Sequence, residues 1–396
     1  MYATTAHQIL VDGPEFWASL QEDIANAEHS ICIQTLTFEG DLAGTALADA
    51  LIACRAPRRR VLIDSFNLYF QRDRFVYAPA NLRASSPVRA EAQATREMIA
   101  RLRSAGVEVR YTNPAGVFMH KLLARDHKKL VLIDGDIAYI GGINFCDHNF
   151  DWHDMMIRVS RTDVASTLAT DFNATWNGLQ APAATRSGDI EILNLDGSGN
   201  EVTCRRLLSA IDEAQSSVEV LSPYMTFPFT DALRAAVQRG VRVVVVSPAE
   251  NNRGFLTTYM RAEATRSGFD LRLYQGRMSH LKGMLIDNAE LIIGSSNFDW
   301  LTYHLLGEVM AVVTNAGIIE EFRRRVLAPD IATSVPAAPA PTWRAVLFDA
   351  AFRIAATVAC VLCKPAPRPV ALDRVRLRGA RSSCVPPRLP EKRVAL

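Results

Sequence analysis

Cysteine forms no framework in this chain. Its seven residues are odd in number and scattered over 396 positions, which excludes a disulfide-stapled scaffold. No secretory signal stands at the N-terminus, so the cysteines are expected as reduced thiols in a cytosolic setting. Cys360-x-x-Cys363 has the spacing of a redox pair. No strand–helix–strand context surrounds it, and a helix of small apolar residues is the better reading. Net positive charge is missing from most of the chain. The formal net charge is +2, and the segment from Lys364 to Leu396 alone carries nine Lys/Arg against two Asp/Glu. Residues 1–363 are therefore acidic overall. A nucleic-acid enzyme normally carries its basic residues on the catalytic body, and no basic, aromatic groove is evident. No nucleic-acid partner is expected. With 49% hydrophobic and 22% charged residues, the chain can bury ample core in two or three domains.

What is present is an internal repeat. His127-Lys128-Lys129-Leu130-Val131-Leu132-Ile133-Asp134 is echoed by His280-Leu281-Lys282-Gly283-Met284-Leu285-Ile286-Asp287. Each copy has a His, a Lys two residues on and an Asp five residues after that. Each runs on to a Gly/Ser-rich turn ending in Asn, at Asn144 and Asn297. The apolar filling reads as a buried strand, and period-2 geometry sets His and Lys on one face. Gly141-Gly142 and Gly294-Ser295-Ser296 open turns where backbone amides and hydroxyls can approach an anion. Such a set can bind a phosphodiester without metal. One imidazole can attack phosphorus while a second protonates the leaving oxygen. Metal at the repeats is not expected, because no second His sits at ligand spacing and Lys129 and Lys282 would repel a cation. No cofactor is expected either.

With both copies in view, the chain resembles the phospholipase D superfamily, whose HxKxxxxD motif occurs twice in two-domain members. The resemblance spans roughly residues 8–330. Phe38-Glu39-Gly40-Asp41-Leu42-Ala43-Gly44 is similar to the family segment after the first strand, Trp152-His153-Asp154 to its W-x-D, and Ser222-Pro223-Tyr224 to its post-strand Pro/Ala-Tyr. Together these are most similar to the shorter bacterial cardiolipin synthases. The family often has Asn-x-Glu after the second motif; Leu306-Gly307-Glu308 keeps only the Glu. After Tyr224 comes Met225, where the family favours Phe. The resemblance implies two similar α/β/α layered domains related by a pseudo-twofold axis. It implies phosphatidyl transfer, with His127 as nucleophile and His280 as acid and then base. Lys129, Lys282, Asn144 and Asn297 would hold phosphate oxygens, with Ser296, Glu308 and Tyr224 also at the substrate. Asp134 and Asp287 would complete the catalytic set by orienting or supporting it. Phospholipid, with phosphatidylglycerol as acceptor, is the implied substrate. The rival readings are a phospholipase D using water, a nucleic-acid phosphodiesterase and a non-catalytic lipid scaffold.

Alternating helix and strand signals predict an α/β fold, with domains at 1–185 and 186–333 and a C-terminal segment at 334–396. In each half a helix is followed by a strand, over Ser30–Leu36 and Ser217–Leu221, and by a more apolar strand at Arg60–Ile63 and Val241–Val246. The boundary is expected in the Pro/Gly/Ser/Asn-rich stretch Gln180–Gly199. The first half carries an extra segment, Phe66–Arg96, readable as a lid or as a solvated excursion. A Pro/Ala linker, Ser334–Pro341, precedes an apolar helix over Ala345–Cys363. Asp349 and Arg353 stand four apart and could pair. They make spanning costly, so the helix is expected to lie in the membrane interface, with docking on the body as the next reading. The basic tail beside it favours an anionic membrane surface, and hence a peripheral place on the cytoplasmic side of a bacterial inner membrane.

Overall fold

The computed structural model describes residues 7–365 and 368–370 of the chain. The basic tail from residue 371, on which the electrostatic half of the membrane expectation falls, lies outside the described residues. In chain order the first half contains β1 (His7–Val11), β2 (Ser30–Thr35), β3 (Arg58–Asp64), the short hairpin β4 (Phe70–Gln71) and β5 (Arg74–Phe75), β6 (Glu108–Thr112), β7 (Leu130–Ile133), β8 (Ile137–Gly141) and β9 (Met155–Ser160). The second contains β10 (Ala184–Ser187), β11 (Ile190–Asp196), β12 (Ser217–Leu221), β13 (Arg242–Pro248), β14 (Asp270–Tyr274), β15 (Gly283–Ile286), β16 (Glu290–Gly294), β17 (Gly307–Val313) and β18 (Val335–Pro336).

Each half builds one mixed sheet, and the two share a strand order. The first runs β1-β9-β8-β7-β2-β3-β6, and the second β11-β17-β16-β15-β12-β13-β14, with β10 and β18 added at its edges. Three strands of each are parallel and joined by helices, as β2, β3 and β6 are. The HxK repeats lead into the antiparallel part, where β7 pairs with β8 and β15 with β16. The central strands are buried on both faces, which is why they read as unbroken apolar runs such as Val243–Val246. Helices cover the outer faces: Phe16, Leu47, Met98 and Leu102 pack on the first sheet, and Leu207, Phe229, Leu233 and Tyr259 on the second. Between the sheets lies a shared core in which Leu132, Ile140 and Ile157 join Leu285, Ile293 and Val309. Each such side chain contributes roughly 1.5–3 kcal/mol on burial, so the halves are held as one body.

Three segments are tied down by pairing or packing. Within Gln180–Gly199, β10 and β11 form an edge hairpin that turns at Gly188 and pairs with β17. The Pro/Ala segment is likewise tied down, with Leu273 opposite Val335. Phe66–Arg96 packs on itself while keeping exposed residues such as Tyr77 and Leu82. Phe66 stacks on Phe70 with centroids 4.3 Å apart, Phe70 meets Phe75 at 5.4 Å, and Val76, Val88 and Ala92 form a small core beneath. Its tip crosses to the other half, where Asn252 donates to Asp73 at 3.2 Å.

The C-terminal helix, Thr342–Cys363, docks on the second domain. Asp349 and Arg353 do not pair with each other. Asp349 accepts from the Tyr259 hydroxyl at 2.8 Å and meets Arg266, while Arg353 reaches Asp231 at 2.6 Å and lies over the Phe227 ring. The two charges therefore fasten the helix to the body, and Phe348 and Phe352 pack around Tyr259. The opposite face, with Leu347, Ile354, Val361 and Leu362, is 60–79% exposed. It is the one described helix long and apolar enough to cross a membrane.

Candidate active site

The two repeats meet at the seam between the halves, and the backbone makes the meeting reciprocal. His127 N–H donates to the Gly307 carbonyl at 2.7 Å, and Gly307 N–H donates to Arg125 at 2.8 Å. In the mirror contact His280 N–H donates to the His153 carbonyl at 2.7 Å, and His153 N–H donates to Met278 at 2.8 Å. His127–Lys129 and His280–Lys282 thus precede β7 and β15 instead of lying in them, because their backbone bonds go to the other half. The alternation survives. Lys129 is buried on the His side, while Lys128 turns away to Asp171 at 2.6 Å.

Each imidazole is gripped by a carboxylate from the opposite half. Nδ1 of His127 lies 2.8 Å from Glu308, and Nδ1 of His280 lies 2.7 Å from Asp154. Neither half-site is complete alone. The engaged Nδ1 of each ring leaves Nε2 for chemistry, the tautomer that an orienting carboxylate selects. The two pairs differ in size. The longer Glu308 also accepts from Ser295 Oγ at 2.5 Å. In the first half Gly142 takes the place of Ser295, and a Cβ there would lie 2.3 Å from Asp154 Oδ1. Asp154 fills that space and accepts from Met155 N–H at 2.8 Å.

Electrostatics follow from burial. Both imidazoles are held well below their ordinary pKa, first by desolvation and then by the two lysines, each of which acts on both rings. Desolvation also lowers Lys129 to about 8 and Lys282 to about 7. It raises Glu308 to about 8 and Asp154 to about 6, against the pull of the lysines. The lysine ammonium groups donate to the carbonyls of their own motif, Lys129 to His127 at 2.7 Å and Lys282 to His280. Two neutral imidazoles beside two buried lysines form a site for an anion, whose charge in turn favours the ammonium forms. A bound phosphodiester would raise the pKa of the ring that must donate a proton.

The remaining residues sort differently from the sequence reading. Asp134 and Asp287 are not at the reaction centre. They sit at the far ends of β7 and β15, where Asp134 accepts from the N–H groups of Glu28, His29 and Ser30 at 2.8 Å. Asp287 accepts from Gln215, Ser216 and Ser217 at 2.8–2.9 Å. Each pins the start of its central strand, so the motif's Asp is a fastener of the fold. Glu308, expected at the substrate, is fully buried on His127. Ser296 donates to the Asn297 carbonyl at 2.8 Å and braces the turn; Ser295 is the serine that reaches the site. Asn144 is engaged by Asn149 at 2.6 Å and Thr35 at 3.2 Å. Asn297 is equally buried, but its side-chain oxygen has no partner among the described residues. Tyr224 gives its hydroxyl to Asn252 at 2.5 Å and presents its ring, 6.0 Å from that of His280. Trp152 packs closer, at 4.9 Å. Asp154 and Ser295 stand at the paired imidazoles and were not assigned to the site from sequence.

With this geometry established, likeness to known proteins is informative. The family model described as "Cardiolipin synthase, PLD-like domain" matches residues 20–176 and 207–327. A probable cardiolipin synthase of Bacillus subtilis (strain 168) is 26% identical over 339 residues, 79% of this chain and 63% of that protein. Cardiolipin synthase A of Yersinia pseudotuberculosis is 28% identical over 250 residues, 55% of this chain and 51% of that protein. The chain thus aligns with only about half to five-eighths of the length of these relatives. In fold it is similar to the phosphatidylserine synthase of Haemophilus influenzae, with TM-score 0.68 at 14% identity, covering 92% of this chain and 96% of that one. The chain belongs to the phospholipase D-like family and is a homologue of the cardiolipin synthases.

Proposed function

We propose that this chain transfers a phosphatidyl group between phospholipids, as a cardiolipin synthase does, through a covalent phosphohistidine. The observation that supports it best is the crossed pairing, His127 with Glu308 and His280 with Asp154, around two buried lysines. In this reading Nε2 of His127 attacks phosphorus and the P–O bond to the leaving headgroup breaks. His280 delivers the proton to that oxygen. His280 then takes a proton from the acceptor hydroxyl, which attacks the phosphohistidine and releases His127. His127 suits the nucleophile because its side chain is the more accessible, 12% exposed against 5% for His280. Lys129, Lys282 and Asn297 hold the phosphate oxygens. The half-buried rings of Trp152 and Tyr224 flank His280 and shield it in part from water, which supports transfer to an alcohol.

The chain is proposed to work as a peripheral protein on the cytoplasmic face of a bacterial inner membrane. The exposed apolar face of the docked helix supports this, as do Val117 and Phe118, 73% and 97% exposed in the loop before the first motif. The test is lipid mass spectrometry with purified protein on phosphatidylglycerol vesicles. Cardiolipin with release of glycerol is expected. Phosphatidic acid as the only product would favour the hydrolase reading, and no lipid turnover would remove both.

A further inference from the structure

The turn after Asn144 carries a cluster that the half-sites do not use. Cys146 is completely buried, with its Sγ 3.7 Å from Nε2 of His148. Glu39, 1% exposed, brings a carboxylate oxygen to the same place, so that oxygen, sulfur and ring nitrogen all lie within 4.8 Å of one another. Carboxylate oxygens of Glu39, Asp41 and Glu91 also lie within 4.8 Å of one another, and the Arg72 N–H donates to both Glu39 oxygens at 3.2 Å. Two carboxyls that close in a buried place must share a proton or bracket a cation. Asp41, Asp147 and Asp73 add negative charge nearby. Against them stand Arg72, 3.6 Å from Glu91, and Lys129, which acts on the sulfur from the reaction centre.

We propose that Glu39, Cys146 and His148 bind a zinc ion, with the fourth position open toward Glu91. Tetrahedral zinc with Zn–S of about 2.3 Å and Zn–N of about 2.0–2.1 Å sets sulfur and nitrogen about 3.6 Å apart. The 3.7 Å found here needs almost no adjustment. A thiolate and an imidazole favour zinc over magnesium or calcium, and a carboxylate completes the charge balance. Binding releases the thiol proton to solvent. The ion would tie together two segments that are distant in sequence, the loop after β2 and the turn after β8, beside Glu91 of the helix Pro87–Ser104. His148 lies 5.1 Å from Trp152, which lies 4.9 Å from His280. The ion would thus hold the wall of the reaction centre in place without touching phosphorus. This site stands on geometry of its own and does not depend on which phospholipid reacts.

The full chain, stripped with chelator under a phosphine reductant, is titrated with Zn²⁺ and with Co²⁺ alone. One equivalent should bind. The Co²⁺ form should show a sulfur-to-cobalt charge-transfer band and the intense visible bands of four-coordination. Cys146→Ser should lose the charge-transfer band, and His148→Gln should weaken binding on the order of 100-fold. Zinc-edge X-ray absorption on the unmutated protein should fit one sulfur with nitrogen and oxygen ligands, and so holds even if a variant fails to fold. Absence of stoichiometric binding would overturn the proposal. So would a fit to two sulfurs, which would place the ion at Cys360 and Cys363.

Discussion

Glu308→Gln separates the orienting role of this carboxylate from the substrate-binding role its sequence position suggests. Glutamine keeps the length and the hydrogen-bonding capacity toward His127 Nδ1 at 2.8 Å and Ser295 Oγ at 2.5 Å. It removes the ability to take on a negative charge. That charge matters only when His127 becomes cationic, as it does on forming a bond to phosphorus, in a site too buried for water to compensate. Losing such transition-state stabilisation costs about 3–4 kcal/mol, or 10²–10³ in kcat. KM should change little, because Glu308 is fully buried behind the imidazole. The assay is steady-state turnover of a short-chain soluble phospholipid, with thermal unfolding as the control. Asp134→Asn is the companion. It loosens three backbone N–H groups at β2, so it should lower the melting temperature and leave kcat within about threefold. Equal kcat for Glu308→Gln and the parent would refute the crossed-pair reasoning. A 10²-fold loss in Asp134→Asn with an unchanged melting temperature would restore the motif's Asp to the chemistry.

Three further outcomes follow. Lys282 is lowered to about 7 and Lys129 to about 8, and a lysine loses its charge as pH rises through its pKa. KM for an anionic phospholipid should therefore climb between about pH 7 and 9 while kcat holds level; a flat KM would contradict the lysines as phosphate holders. His153 bridges Asp12 at 2.7 Å and Asp330 at 3.0 Å, and its pKa is raised to about 9 even though burial opposes this. Its folded pKa exceeds the unfolded value of about 6.5, so its stabilisation is full below about pH 6.5 and is lost as pH rises through about 9. That is on the order of 2–3 kcal/mol, and His153→Gln should flatten this part of the stability profile; an unchanged slope would remove His153 as its source. On the C-terminal helix, Asp349→Ala should destabilise by about 1–3 kcal/mol, because Arg266 and Tyr259 each lose one partner and keep Glu263 and Thr230. Ile354→Ser with Val361→Ser should leave melting unchanged but weaken vesicle co-sedimentation, and equal binding would show that this face does not meet lipid.

Much of the fold was legible because the repeat is carried by runs that bury on both faces, such as Leu130–Ile133 and Met284–Ile286. The histidines and lysines announced themselves by spacing. What escaped was whatever depends on the seam. Asp154 lies 126 residues from the His280 it grips, and Glu308 lies 181 from His127. No local pattern reports a partner so distant. One signal was available: each carboxylate opens the strand that follows the Asn-ended turn, ten residues after Asn144 and eleven after Asn297. Asp134 and Asp287 misled for the opposite reason, since a residue's place in a motif does not tell whether it serves chemistry or the strand beside it. The C-terminal helix misled through its charges. Four-residue spacing allowed Asp349 and Arg353 to pair, yet Arg266 and Asp231 on the body take them instead.

The central claim is a phosphatidyl group carried on His127, and trapping it is the most direct test. His280→Ala lacks the acid that protonates an alcohol leaving group, but a nitrophenyl phosphatidyl ester leaves without protonation. It also lacks the base that activates the acceptor, so the intermediate should persist. Rapid quenching at high pH, digestion and mass spectrometry should find the phosphatidyl mass on the peptide containing His127, in near-stoichiometric yield after the burst of nitrophenol. His127→Ala should give neither burst nor adduct. A burst without an adduct at His127, or an adduct on any other residue, would contradict the account.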